Sequence, residues 1–127
     1  MQVIRLGIAT AALVCGSAAM AEDLVYYSQS NTGEVLYYDK DTIRAESGGY
    51  ISVWTLSDAK NARTVKYRTR RVLWYIRCSA MSSGSMAFAD YDAQGSLIDS
   101  GSFDEPRPTP DVPGSTGYRL VLTICGK

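Results

Sequence analysis

Six bases crowd into the stretch from residue 60 to residue 71: Lys60, Arg63, Lys66, Arg68, Arg70 and Arg71. Tyr67 stands among them, and Trp74 and Tyr75 follow closely. Side chains two apart share a face of an extended strand, so Lys66, Arg68 and Arg70 would project together. Ammonium and guanidinium groups on one face could hold the carboxylates of an acidic protein, a glycan sulfate or a lipid headgroup. The candidate partner-binding set is therefore Lys66, Tyr67, Arg68, Arg70, Arg71, Trp74 and Tyr75. The plainer reading of the same residues is a solvated strand face whose charges discourage edge-to-edge aggregation.

Other reactive types are sparse. Asp90, Asp92 and Asp99 fall across a predicted hairpin, where a metal or a carboxylate acid/base pair would need them close together. No glycine-bearing calcium-loop spacing follows, so they read as acids flanking a turn. Ser79 to Ser85 supplies serines but no base, and lacks the G-x-S-x-G elbow. The 127 residues contain no histidine. That removes Ser-His and Cys-His nucleophile pairs, imidazole acid/base catalysis and every zinc site built on imidazole. Thirteen bases balance thirteen acids, and the pI is near 6.2, which argues against a nucleic-acid partner. No enzyme activity, cofactor or metal is expected.

The elements that must position these residues read as strands and tight turns. Leu24 to Tyr27 and Val35 to Tyr38 are short β-prone runs separated by Ser30-Asn31-Thr32-Gly33. Tyr50 to Leu56 carries apolar residues on both faces, as a central strand would. Thr64 to Cys78 is the longest β-like stretch, but its apolar residues change phase, from Val65, Tyr67 and Thr69 to Val72, Trp74, Ile76 and Cys78. One straight strand cannot place both sets on one face, so a β-bulge near Arg70-Arg71 is predicted. A turn at Ser82-Ser83-Gly84, a strand from Met86 to Tyr91, a turn at Ala93-Gln94-Gly95 and a strand from Ser96 to Ser100 follow. Phe103 to Gly117 holds all four prolines and reads as a loop. Tyr118 to Cys125 is ambiguous. Alternation would make it a strand with Leu120, Leu122 and Ile124 inward, whereas helical spacing would align Tyr118, Val121, Leu122 and Cys125 behind an N-cap at Ser115 or Thr116. Nine tyrosines make a further group, and adjacent pairs such as Tyr26-Tyr27 must point to opposite faces of a strand. Some serve as packing and some as rim or binding surface.

Residues 1–21 have the three-part pattern of a cleaved export signal: Arg5, the uncharged run from Leu6, and the small-x-small site Ala19-Met20-Ala21 before Glu22-Asp23. The uncharged run falls short of the roughly 18 to 20 residues that span a bilayer. Cleavage after Ala21 leaves one domain, residues 22–127, with 12 bases, 13 acids and no transmembrane segment. Cys15 leaves with the leader, and Cys78 and Cys125 remain as a pair in an oxidising compartment. They lack C-x-x-C redox spacing, so a structural disulfide is expected, worth about 4 kcal/mol by chain entropy.

Taken in order, Tyr38-Asp39, Thr42-Ile43, Val53-Trp54-Thr55-Leu56, Asp58, Tyr67-Arg68-Thr69, Cys78, Pro113-Gly114-Ser115 and Cys125 resemble the surface-adhesin E family of small exported bacterial proteins. Three departures are Thr69, where the family has Ser, Arg77, where it has an acid or amide before the first cysteine, and the missing tryptophan before the Pro-Gly-Ser loop, where Phe103 stands instead. The resemblance implies an α+β fold: an antiparallel sheet of about five to six strands and a short C-terminal helix, stapled by one disulfide. It tips the ambiguous C-terminal segment towards helix. It also implies a non-enzymatic binding domain, periplasmic or at the cell surface, whose partner is a host extracellular matrix protein or a bacterial envelope protein. The alternative is a soluble periplasmic accessory or inhibitor protein.

Overall fold

The computed structural model describes residues 22–62 and 65–126. The leader expected over residues 1–21 lies outside them, as do Arg63 and Thr64 from the basic stretch.

Six strands form one antiparallel sheet in the order β1 (Leu24–Gln29), β2 (Val35–Asp39), β4 (Ile51–Asp58), β5 (Thr69–Arg77), β6 (Ser82–Tyr91) and β7 (Leu97–Ser102). Two-residue strands are added at its margins, β3 (Arg44–Ala45) beside β4 and β8 (Thr109–Pro110) beside β6. Each main strand pairs with the next main strand in the chain, through short turns at β1–β2, β5–β6 and β6–β7 and through longer segments before and after β4. Asp92 closes the β6–β7 turn: its Oδ1 accepts from the N–H groups of Gln94 and Ser96, each at 2.9 Å. β4 is the predicted central strand, bonded on both sides.

The long stretch before Cys78 differs from expectation. β5 begins only at Thr69, and its register with β4 runs unbroken from Asp58↔Thr69 to Ile51↔Ile76. No bulge occurs at Arg70-Arg71. The phase change arises because Val65 and Tyr67 precede the strand and answer to no ladder. The irregularity sits across the pairing, in β6, where Leu73↔Ala87 is followed by Trp74↔Ser85 and Met86 is extra. The expected turn at Ser82-Ser83-Gly84 is likewise the start of β6. The chain reverses earlier, through a 3₁₀ turn at Cys78–Ala80 that ends on Met81 in the left-handed region (φ 48°). Three small residues there let the segment Arg107-Pro108 cross close over Gly84, and Ser83 Oγ donates to Asp111 at 2.8 Å.

The C-terminal segment is a helix, α1 (Thr116–Cys125). Ser115 caps it by accepting from the Tyr118 N–H at 3.1 Å, and Gly126 ends it at φ 73° with its N–H on the Leu122 carbonyl. Packing decides the ambiguity: Leu120 and Val121 are both fully buried, and a strand would have sent them to opposite faces. They close the core with Val53 and Ile76. Directly opposed residues share a face, so Ile76 opposite Ile51 and Trp74 opposite Val53 place the helix on the face of Val53, Trp74 and Ile76. Cys78 and Cys125 are bonded, with Cα atoms 5.8 Å apart, and tie the helix end to the turn after β5. Tyr27 and Tyr38 pack at the core margin while Tyr26 is exposed, as the alternation of a tyrosine pair requires.

Candidate functional site

The cross-strand register divides the seven predicted residues. Arg70 and Trp74 lie on the helix face, opposite Ser57 and Val53, whereas Arg71 and Tyr75 lie on the other face, opposite Leu56 and Ser52. Lys66 and Tyr67 come from the segment that approaches β5 and join no ladder, whereas the Arg68 backbone already bonds Ala59 and Tyr91, each at 2.8 Å. A single strand face shared by Lys66, Arg68 and Arg70 is therefore not formed, because the strand pairing does not reach Lys66.

The bases are also largely engaged within the chain. Arg70 grips Asp90 with a fork of two bonds, Nε to Oδ1 at 2.6 Å and Nη2 to Oδ2 at 2.8 Å. Its guanidinium lies 4.3 Å from the Tyr67 ring centroid and 5.3 Å from that of Phe88. The Asp90 hydrogen bonds raise the Arg70 pKa above its ordinary value, against the opposing effect of burial. Asp90, read from sequence as a turn acid, is instead a buried strand residue whose charge Arg70 balances. On the other face Arg71 makes a fork to Glu22 (Nη2 to Oε1, 2.8 Å), which lowers the Glu22 pKa and raises that of Arg71. Arg68 stands 3.7 Å from Asp58. Tyr67 donates to Glu34, and burial first, then this bond, pushes its pKa up to about 12. Trp74 Nε1 donates to Thr55 Oγ1 at 3.0 Å. Tyr75 stacks at a tilt on Tyr50, whose ring Arg77 covers at 4.3 Å.

What these residues build is a concave patch. Lys66, Tyr67 and Arg70 meet Val65, Asp90, Ile98 and Asp99 around an open cavity of about 640 Å³. A smaller one of about 210 Å³ adjoins it, shares Arg70 and is lined by Val72, Trp74, Ser85 and Phe88. Four predicted residues (Lys66, Tyr67, Arg70 and Trp74) are thus brought together, while Arg68, Arg71 and Tyr75 are not among the lining. Phe88, Ile98 and Asp99 were missed as site residues, since only the pairing of β6 and β7 carries them to this place. Arg70↔Asp90 carries a sequence signal in principle, an opposite charge pair at matched strand positions, but the register had to be known first. Among the described residues no group of three acids or cysteines is placed to hold a metal. Aromatic walls, one exposed ammonium and engaged ion pairs can recognise a surface.

Residues 24–126 match the family model described as surface-adhesin protein E. Among solved structures, crystal form II of Haemophilus influenzae protein E superposes with a TM-score of 0.57 at 14% identity, covering 84% of this chain and 92% of that one. A second structure of Haemophilus influenzae protein E gives 0.55 at 13% identity, covering 84% and 89%. At such identity the likeness shows a shared fold. No curated protein sequence matches.

Proposed function

Because the chain belongs to the surface-adhesin protein E family, we infer that it is an exported, non-enzymatic binding protein that attaches to another protein at the cell surface. The family match over residues 24–126 carries this reading. The concave patch of Lys66, Tyr67, Arg70 and Trp74 supports it, with β7 alongside as the contact region. Large rigid aromatic side chains with polar tips suit a protein interface. Residues 1–21 act as the leader and residues 22–127 as the binding domain. The absence of histidine fits a molecule that works through its surface. Among the described residues no helix is long and apolar enough to cross a membrane.

Protease shaving of intact cells, followed by capture of host matrix and envelope proteins on the purified chain, tests the reading. Release of the chain by shaving and saturable capture of a matrix protein are expected. Retention in the periplasmic fraction, with capture of an envelope protein alone, would replace it with a periplasmic accessory role.

A further inference from the structure

The two outer edges of the sheet are finished differently. β1 is broken by a bulge at Tyr27, and α1 rests against it, both of which discourage further pairing. β7 has neither protection along Asp99–Ser102. Its one irregularity, the extra residue Ile98, lies at the turn end, and beyond it the register is regular from Asp90↔Asp99 to Ala87↔Ser102. The Phe103 N–H donates to the Met86 carbonyl at 2.8 Å, which fixes the phase of the ladder. The backbone groups of Asp99, Gly101 and Phe103 therefore face β6, and those of Ser100 and Ser102 face outward. Among the described residues the outward Ser100 N–H is held by the Asp99 side chain, Oδ1 at 2.9 Å.

The side chains along this edge are specific. Asp99 borders the larger cavity on the helix face. Gly101, two residues on, lies beneath Phe88, so closely that a Cβ there would come within 2.7 Å of the ring. A strand laid against β7 would thus meet a carboxylate at one position and an aromatic ring two residues away. Leu97 and Ile98 are 58% and 49% exposed at the start of the edge. From Asp92 to Pro106 the chain carries Asp92, Asp99, Asp104 and Glu105 and no base.

We propose that β7 accepts an extended, basic segment of a partner protein as an additional antiparallel strand. The segment carries an apolar residue beside Gly101, seated on Phe88, and a lysine or arginine two residues later, beside Asp99. The base has a defined task. The Asp99 carboxylate must leave the Ser100 N–H before that N–H can donate to an incoming carbonyl, and the cation receives the displaced carboxylate. The proposal rests on the reading that this protein works by binding another protein. It names the segment recognised, and it reverses the charge that the basic stretch suggested, because Arg68, Arg70 and Arg71 already have acidic partners.

The test is an NMR titration of the purified, disulfide-bonded protein with the capped peptide Thr-Thr-Val-Thr-Lys-Thr-Thr and with its counterpart carrying Glu for Lys. The expected result is saturable shifts and slowed amide exchange at Ser100 and Ser102, with the Lys peptide at least fivefold tighter. Ser100→Pro removes an outward N–H that no ladder bond uses, so the fold should persist and binding should vanish. Asp99→Asn keeps the oxygen that caps Ser100 but loses the charge, and should abolish the preference for Lys even if Ser100→Pro unfolds. The proposal fails if Ser100→Pro folds and binds like the parent, if both peptides bind equally, or if the shifts map to β1. It fails also if the protein is already a dimer that Ser100→Pro dissociates, since a second copy would then occupy the edge. Cell shaving judges display separately, so a negative result there leaves the peptide result standing.

Discussion

Replacing Arg70 with Met would remove the cation from the fork and leave a side chain of similar length between Tyr67 and Phe88. Asp90 would then stand with its side chain only 7% exposed and without the two bonds at 2.6 and 2.8 Å. Breaking a buried pair by deleting one partner costs roughly 3–5 kcal/mol. Arg70 is itself 37% exposed, so solvent already weakens the pair, and a cost below that range, about 2–3 kcal/mol, is expected. Loss of the guanidinium from the Tyr67 and Phe88 rings adds roughly 0.5–1 kcal/mol. Urea unfolding should show a free energy of unfolding reduced by about 3 kcal/mol in all, seen as a lower midpoint with an unchanged slope. Adding Asp90→Leu removes the orphaned carboxylate and should recover about 1–2 kcal/mol, a coupling that a double-mutant cycle reads directly. An Arg70→Met protein within about 0.5 kcal/mol of the parent, or a double variant no more stable than the single one, would refute the argument. Arg70 would then be a free base available to an acidic ligand rather than the structural partner of Asp90.

The Cys78–Cys125 bridge closes a loop with a sequence separation of 47, for which chain entropy predicts about 4 kcal/mol. Cys78→Ala with Cys125→Ala should therefore lower Tm by about 18 °C in calorimetry, and a shift below about 5 °C would show that the reduced chain retains the closure. The folded-state pKa of Tyr67 lies above the unfolded value, about 12 against 10.0, so its contribution to stability is complete below pH 10 and is lost as pH rises towards 12. Chemical denaturation of the parent and of Tyr67→Phe at pH 8 to 11.5 should show the shallower alkaline loss in the variant, and identical slopes would exclude Tyr67 as a source.

Local chemistry made much of the fold legible. Leu24 to Tyr27 and Val35 to Tyr38 are the first four residues of β1 and of β2, because β-branched and aromatic runs bounded by Ser30–Gly33 have one easy solution. Ser115 ahead of a helical stripe and Gly126 behind it supply both helix caps. The disulfide followed from cysteine arithmetic, and the family from the order of spaced residues. The phase of the basic stretch was not legible. Its alternation presumed a strand that starts only at Thr69, and the extra residue belongs to β6 rather than to β5.

The site divides along the same line. Sequence determined which reactive types are at hand: no histidine, balanced charge and aromatic side chains beside bases. It could not determine which charges remain free, because an ion pair is a property of two positions and a register, not of either residue. Tertiary structure set Asp90 against Arg70, Glu22 against Arg71 and Asp58 near Arg68, and left the acidic margin of β7 facing solvent. The cavity that joins Lys66 and Tyr67 to Ile98 and Asp99 spans more than thirty residues of chain, and only the pairing of β5, β6 and β7 closes that distance. Backbone hydrogen bonds decide which strands are neighbours, and through that they decide which side chains are left for a partner.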